Sequence, residues 1–160
     1  MNPKSGSGTA ETGVDFRDVG CAVIYHHGRL LVAQRGYGSN LGGYWEFPGG
    51  KREPEETIEA CLVREVWEEL RVRIRPERYL TTHFHVDPFR RLALHFYLCA
   101  WEQGSPVAYE CLAFRWIEPE EMRRLMFPPA DRDIIETLIR KKLYYFGRLE
   151  KTGASRQDGS

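Results

Sequence analysis

The fold is decided by residues 49–72, which have the sequence GGKREPEETIEACLVREVWEELRV. Residues 57–70 form a helical pattern, because Leu62, Val66 and Leu70 recur at intervals of four and share one side of a helix. The glutamates that precede this stretch favour a helix start, since acidic groups suit the positive end of a helix dipole. The segment therefore predicts an amphipathic helix that follows a glycine-rich turn.

A second face of this helix is acidic. Glu65, Glu68 and Glu69 are spaced i, i+3 and i+4, so their side chains crowd together. Like charges this close repel one another unless a cation lies between them, and carboxylate oxygens suit Mg²⁺ or Mn²⁺. The glycine at Gly50 permits a close backbone approach, so its carbonyl could supply another oxygen ligand. For an isolated cluster of this kind, a simple solvated surface would be the better interpretation.

The whole string resembles the signature of the Nudix (MutT-like) hydrolase family. That signature has Gly, five residues, Glu, seven residues, and then Arg-Glu-apolar-any-Glu-Glu-any-Gly-apolar. The positions in register are Gly50, Glu56, Arg64, Glu65, Val66, Glu68, Glu69 and Val72. One position departs, with Arg71 where the family usually has a glycine that helps the helix end in a left-handed turn. This departure removes no catalytic group, but we expect it to strain or shift the turn.

The resemblance implies a binding site for Mg²⁺, for which Mn²⁺ can substitute. Its ligands would be the three acids of the helix and the Gly50 carbonyl. Glu110, in the segment ECLAFRW, stands where MutT-like enzymes have a glutamate that reaches the metal cluster and acts as a general base. Arg64 would pair with Glu56 and orient the loop and the helix; the alternative for Arg64 is an ordinary surface arginine.

Four residues near the signature are candidates for binding a substrate. Trp45 and Phe47, in GYWEFPGGK, could stack on a nucleotide base, although aromatic residues are equally common in a core. Arg35 and Lys51 could bind phosphates, as an arginine at the place of Arg35 does in MutT-like proteins. For these two basic residues, a solvated surface position is the alternative.

Asp131 ends the segment FPPAD, where the MutT-like type has an asparagine that recognises an oxidised guanine. An ionised aspartate only accepts hydrogen bonds, so it would favour a base edge with N–H donors, such as a cytosine amine. Asp131 could also cap the final helix, and the two roles are compatible. His83 and His85 alternate along one strand and are interpreted as pocket or surface residues, because no third zinc ligand has suitable spacing.

The rest of the chain predicts a layered α/β or α+β domain with helices flanking a sheet. The family resemblance implies the α+β form, a Nudix-like α/β/α sandwich with a mixed β-sheet flanked by helices. Residues 19–35 predict a hairpin, and the glycine-rich residues 36–50 predict a connection without a regular element. Strands are expected at residues 79–86, 92–101 and 112–117, a short helix at 119–125 and a final helix at 130–143.

At 160 residues the chain fits one domain, expected at 16–149 between flexible tails at 1–15 and 150–160. The formal net charge is zero, which argues against a membrane surface or a stable nucleic-acid partner. The four cysteines form no CxxC pair, and no signal or membrane-spanning segment is recognised. We therefore expect a cytoplasmic monomer or homodimer.

The expected reaction is metal-dependent hydrolysis of a nucleoside diphosphate-linked substrate. The leading expectation is conversion of a (d)NTP, either oxidised or non-standard, to (d)NMP and pyrophosphate, with 8-oxo-dGTP or a cytidine triphosphate as the substrate. Removal of pyrophosphate from an RNA 5′ end uses the same chemistry and stays open. A non-catalytic module that senses a nucleotide is the other alternative, although every acid of the signature is present.

Overall fold

The computed structural model describes residues 15–147. The predicted tails lie outside the described residues, apart from Asp15. The described strands are β1 (Arg17–His26), β2 (Arg29–Gln34), β3 (Trp45–Glu46), β4 (Gly49–Lys51), β5 (Arg73–Val86), β6 (Arg91–Gln103) and β7 (Ala113–Ile117). The described α-helices are α1 (Ile58–Leu70), α2 (Arg132–Arg140) and α3 (Lys142–Tyr145), and two 3₁₀ turns span Pro119–Arg124 and Pro129–Asp131.

The strands form one mixed sheet, as the sequence predicts. Its order is β3-β2-β1-β6-β5, and β4 and β7 pair with β1 and β2. The β1 and β6 strands are parallel, whereas the other pairs are antiparallel. Along β1, Ala22 and Ile24 pack in the cluster under α1, while Val23 and Tyr25 pack in the cluster with α2. Alternation along a strand thus places one helix layer on each face, which confirms the predicted sandwich.

The signature helix α1 matches the sequence prediction closely. The Thr57 side chain accepts a hydrogen bond from the Ala60 backbone at 3.1 Å, which caps the start of the helix. The stripe of Leu62, Val66 and Leu70 is fully buried against the sheet. Burial of each such side chain contributes about 2 kcal/mol, so this face anchors the helix and leaves the acidic face toward a cleft.

The expectation of no regular element in residues 36–50 was wrong, because β3 and β4 form there. Their glycines allow close pairing of the backbone: a Cβ added at Gly49 would lie 1.9 Å from the Gly20 carbonyl oxygen. The predicted final helix is also interrupted, since α2 ends at Arg140 and α3 starts at Lys142. Within residues 15–147, no helix has both the length and the apolar character needed to span a bilayer.

Candidate active site

A cleft of about 710 Å³ is lined by Glu69 of α1, by the β5–β6 hairpin and by the segment that precedes α2, whereas Arg64, Glu65 and Glu68 are not among its lining residues. Several elements that are distant in sequence meet around it. The sequence-predicted residues that line it are Arg35, Phe47, Gly50, Lys51, Glu69, Glu110, Asp131 and His85. The fold therefore brings most of the predicted phosphate, base and metal ligands to one place.

Arg64 is not an ordinary surface arginine, because it pairs with three acids of the signature. Its Nη2 lies 2.6 Å from Glu56 Oε1, and its Nη1 lies 2.9 Å from Glu65 Oε1 and 3.2 Å from Glu68 Oε2. Nη2 also donates to the Lys51 carbonyl at 3.1 Å. Hydrogen bonds from Arg64 lower the pKa of Glu56 to about 2. One guanidinium thus ties the loop before α1 to two acids on the helix.

Glu69 is the most deeply placed acid of the signature. Burial raises the pKa of Glu69 well above its ordinary value, and the nearby carboxylates of Glu46, Glu65 and Glu110 raise it further. Its Oε2 atom is buried and has no hydrogen-bond partner among the described residues. An unpartnered buried carboxylate oxygen costs free energy, so it suits a site that is completed by a cation.

The oxygen donors of the signature acids fit a hard divalent ion in chemistry. Within residues 15–147, no group of three acid, histidine or cysteine side chains surrounds a common metal position. Arg64 Nη1 contacts one oxygen of each of two acids, Glu65 Oε1 and Glu68 Oε2, so it can orient these carboxylates while their other oxygens face away from the ion pairs. The Gly50 carbonyl accepts a hydrogen bond from Cys61 Sγ at 3.4 Å, which leaves it able to accept a further partner.

Close packing explains the glycine at the start of the signature. A Cβ at Gly50 would lie 2.4 Å from the carboxyl carbon of Glu65, a separation that real side chains do not adopt. Glycine at this position therefore lets the Glu65 carboxylate approach the backbone of β4. The sequence indicated a close approach at Gly50, but the identity of the approaching group, the Glu65 carboxylate, depends on the distance between α1 and β4.

Sequence reasoning missed Glu46, which pairs with Arg35 on the cleft wall. Arg35 Nη1 lies 2.6 Å from Glu46 Oε2, and Arg35 Nε donates to the Asn40 carbonyl at 2.8 Å. Burial raises the pKa of Glu46, and Arg35 opposes that shift. The available signal was an acid between aromatic residues in YWEFP, which is unusual in a short strand next to a core.

Asp131 is the only charged residue among those classed as buried in the described part of the chain, and it is 7% exposed. Burial raises the pKa of Asp131 to about 7, the carboxylate of Glu46 adds to the shift, and Arg35 opposes it. Asp131 occupies the N-cap position of α2, as one interpretation of the sequence predicted, but its side chain makes no cap hydrogen bond to the helix. Asp131 is also one of the residues that line the cleft.

The two aromatic candidates have different surroundings. Phe47 is 5% exposed and packs against Phe96 and Phe127, with ring centroids 5.8 and 5.5 Å away. It is a core residue that also forms part of the cleft wall. Trp45 does not line the cleft, because it packs against the α2-side core and its ring centroid lies 5.9 Å from Arg115 Cζ. The structure therefore does not bring Trp45 to a bound base.

The β5–β6 hairpin adds Asp87 and Arg90 to the cleft, which sequence reasoning did not select. Asp87 accepts hydrogen bonds from the backbones of Phe89 and Arg90 at 2.8 Å, and from His85 Nε2 at 3.1 Å. His83 is not among the lining residues, so the strand directs only one of the paired histidines into the cleft. The Asp-Pro sequence indicated a turn at this point. Only the fold shows that this turn lies beside the cleft.

Comparison with known proteins agrees with this geometry. A family model described as NUDIX domain matches residues 20–137. The chain is 35% identical over 122 residues to the CTP pyrophosphohydrolase of Escherichia coli (strain K12), covering 76% of this chain and 90% of that protein. It is 43% identical over 72 residues to the 8-oxo-dGTP diphosphatase of Proteus vulgaris, covering 45% of this chain and 64% of that enzyme. The crystal structure of a MutT protein from Methanosarcina mazei Go1 superposes with a TM-score of 0.72 at 23% identity, covering 79% of this chain and 95% of that chain, and supports the fold.

Proposed function

This chain belongs to the Nudix family of hydrolases, and on that basis we propose that it hydrolyses a cytidine triphosphate to the monophosphate and pyrophosphate. The reaction class follows from the family and from the complete set of signature acids. The choice of base rests on one observation, the buried Asp131 on the cleft wall. A relative named for CTP hydrolysis, which this chain spans over most of its length, supports the same choice.

The protonation state of Asp131 decides which base edge it matches. A neutral carboxyl group both donates and accepts, so it can donate to N3 of cytosine and accept from the N4 amine. An ionised carboxylate only accepts, which suits the N1–H and N2–H donors of a guanine edge. Because burial raises the pKa of Asp131 to about 7, the neutral form is well populated near neutral pH. An oxidised guanine nucleotide is the second candidate, favoured by the ionised form.

The phosphate chain would lie between the basic residues of the cleft and the acids of α1. Lys51 and Arg35 would bind its oxygens, and Arg64 would orient the acids on the helix. We propose Mg²⁺ as the ion held by Glu65, Glu68, Glu69 and the Gly50 carbonyl, with Glu110 beside it. When bound, it neutralises phosphate oxygens and lowers the pKa of a water molecule. Glu110 would accept the proton of the attacking water as the general base.

A substrate panel with pH variation tests this function. CTP, dCTP, 8-oxo-dGTP, dGTP, ADP-ribose and triphosphorylated RNA are incubated with Mg²⁺. The products are separated and quantified: pyrophosphate or phosphate from the triphosphates, and AMP with ribose 5-phosphate from ADP-ribose. We expect the highest kcat/KM for a cytidine nucleotide. The ratio of CTP to 8-oxo-dGTP turnover should fall as the pH rises from 6 to 8, because Asp131 ionises. A pH-independent ratio, or RNA as the best substrate, would contradict the assignment.

Two variants test the base assignment and the metal site, and the unmodified protein distinguishes an enzyme from a nucleotide-sensing module. Asp131→Asn keeps one donor and one acceptor at every pH, so cytidine turnover should survive and its pH dependence should flatten. Glu68→Gln should lower kcat by about 100-fold or more while leaving the fold intact. Nucleotide binding without turnover in the unmodified protein would favour the module. Cytoplasmic location and a monomeric or homodimeric state remain our predictions.

A further inference from the structure

Glu110 lies in an irregular segment, residues 104–112, which connects β6 to β7. The end of α1 holds this segment in place. Val107 N donates to the Leu70 carbonyl at 2.9 Å, while Tyr109 N and Glu110 N donate to the Glu69 carbonyl at 3.0 and 3.2 Å. The last carbonyls of a helix lack partners within it, so the segment satisfies them. Glu110 is thereby attached to the same residue that supplies the deepest acid of the cleft.

Arg71 stands at this junction in an unusual conformation. Its backbone has φ 56° and ψ 35°, the left-handed region that the glycine usual in the signature adopts without cost. Its N–H donates to the Trp67 carbonyl at 3.0 Å, so the helix ends as the signature requires. An arginine is disfavoured in this region by contact of its Cβ with the following carbonyl, so its side chain should bring a compensating interaction.

That interaction is a stack on the segment that carries Glu110. The Arg71 Cζ atom lies 3.7 Å from the ring centroid of Tyr109 and 5.5 Å from that of Trp67. Within residues 15–147, Arg71 makes no ion pair at 4.0 Å or less. Its guanidinium instead makes cation–π contacts with the two rings. Tyr109 is 59% exposed, and the Arg71 guanidinium stacks on its ring directly beside Glu110 in the chain.

We propose that Arg71 is a positioning residue, which acts through Tyr109 to hold Glu110 toward the Glu69 side of the cleft. This inference rests on the proposed role of Glu110 as a general base. The cation–π contact connects the left-handed end of α1 to the irregular segment that carries Glu110. Two backbone hydrogen bonds to the Glu69 carbonyl connect the same two parts of the chain. The departure from the family signature is then a substitution that restrains the catalytic segment.

The test uses paired variants and two readouts. Arg71→Gly restores the family's residue and Tyr109→Ala removes the ring while keeping the positive charge of Arg71. We expect each to lower kcat by about five-fold, with KM changed less than two-fold, since the stack is worth a modest exposed cation–π contact. Amide hydrogen exchange in residues 105–111 should accelerate in both variants.

Controls separate positioning from a purely structural effect. Tyr109→Phe keeps the ring and should retain the wild-type kcat and exchange rates. Arg73→Ala removes a guanidinium that lies 4.6 Å from the Trp67 ring centroid but not over Tyr109, and should change neither readout. The double variant Arg71→Gly/Tyr109→Ala should be no slower than either single variant, because both remove one contact.

The other outcomes either refute this inference or refute the proposed function alone. Unchanged kcat and unchanged exchange in both single variants would refute it. A fall in kcat for Arg71→Gly alone would assign the effect to charge or to the helix end and would also refute it. If the wild-type protein hydrolyses no nucleotide, the proposed function fails, and hydrogen exchange still decides whether the stack restrains residues 105–111.

Discussion

Replacement of Asp131 by asparagine should stabilise the protein, and the gain should grow with pH. Asp131 is 7% exposed, and burial with the nearby Glu46 raises its pKa from 3.8 to about 7. The folded state therefore keeps a proton that the unfolded state releases between about pH 4 and pH 7. Stability falls as the pH rises through this window, and the whole penalty is present above pH 7.

The size of this penalty follows from the pKa shift. A rise from 3.8 to about 7 is close to three units, which corresponds to roughly 4 kcal/mol of lost stability at pH 8. Asparagine has nearly the same shape but no charge, so Asp131→Asn removes the penalty. At pH 5 only about a third of it has developed, so the advantage of the variant should increase by about 3 kcal/mol between pH 5 and pH 8.

Urea unfolding at pH 5, 6, 7 and 8, followed by tryptophan fluorescence, measures this difference for the wild type and the variant. Asp133→Asn makes the same chemical change at an exposed position in the first turn of α2, and its difference from the wild type should stay nearly constant. A constant difference for Asp131→Asn, or a variant that loses stability relative to the wild type as the pH rises, would refute the reasoning.

Three other changes probe the cleft and its supports. Glu69→Gln removes a buried carboxylate without an Oε2 partner, so the free energy of unfolding at pH 8 should rise while kcat falls at least 100-fold; unchanged kcat would exclude Glu69 from the chemistry. Arg64→Lys cannot bridge Glu56, Glu65 and Glu68 together, so kcat should fall about ten-fold or more in the same turnover assay. Phe47→Ala should lower the free energy of unfolding by about 3 to 5 kcal/mol in urea titrations, and a loss below 1 kcal/mol would mean that Phe47 is not part of the core.

Local patterns were sufficient to predict much of this protein. The spacing of Leu62, Val66 and Leu70 predicted the buried face of α1, because the helical repeat determines which side chains point to the same side of the helix. The mixed sheet, the helices around it and the family signature were likewise recognisable within short segments. The two strands of residues 36–50 were not, since glycine usually marks a turn, and here it allows β4 to approach β1.

By itself, the sequence indicated the reaction class, because all the residues of the family signature lie within one short stretch, residues 50–72. Only the tertiary structure decided the surroundings of groups that are distant along the chain. It pairs Arg35 with Glu46, buries the Asp131 side chain in the cleft wall without a cap hydrogen bond, and keeps Trp45 away from the cleft. The physical reason is that pKa values, burial and cation–π contacts depend on neighbours in space, and residue spacing along one element does not specify them.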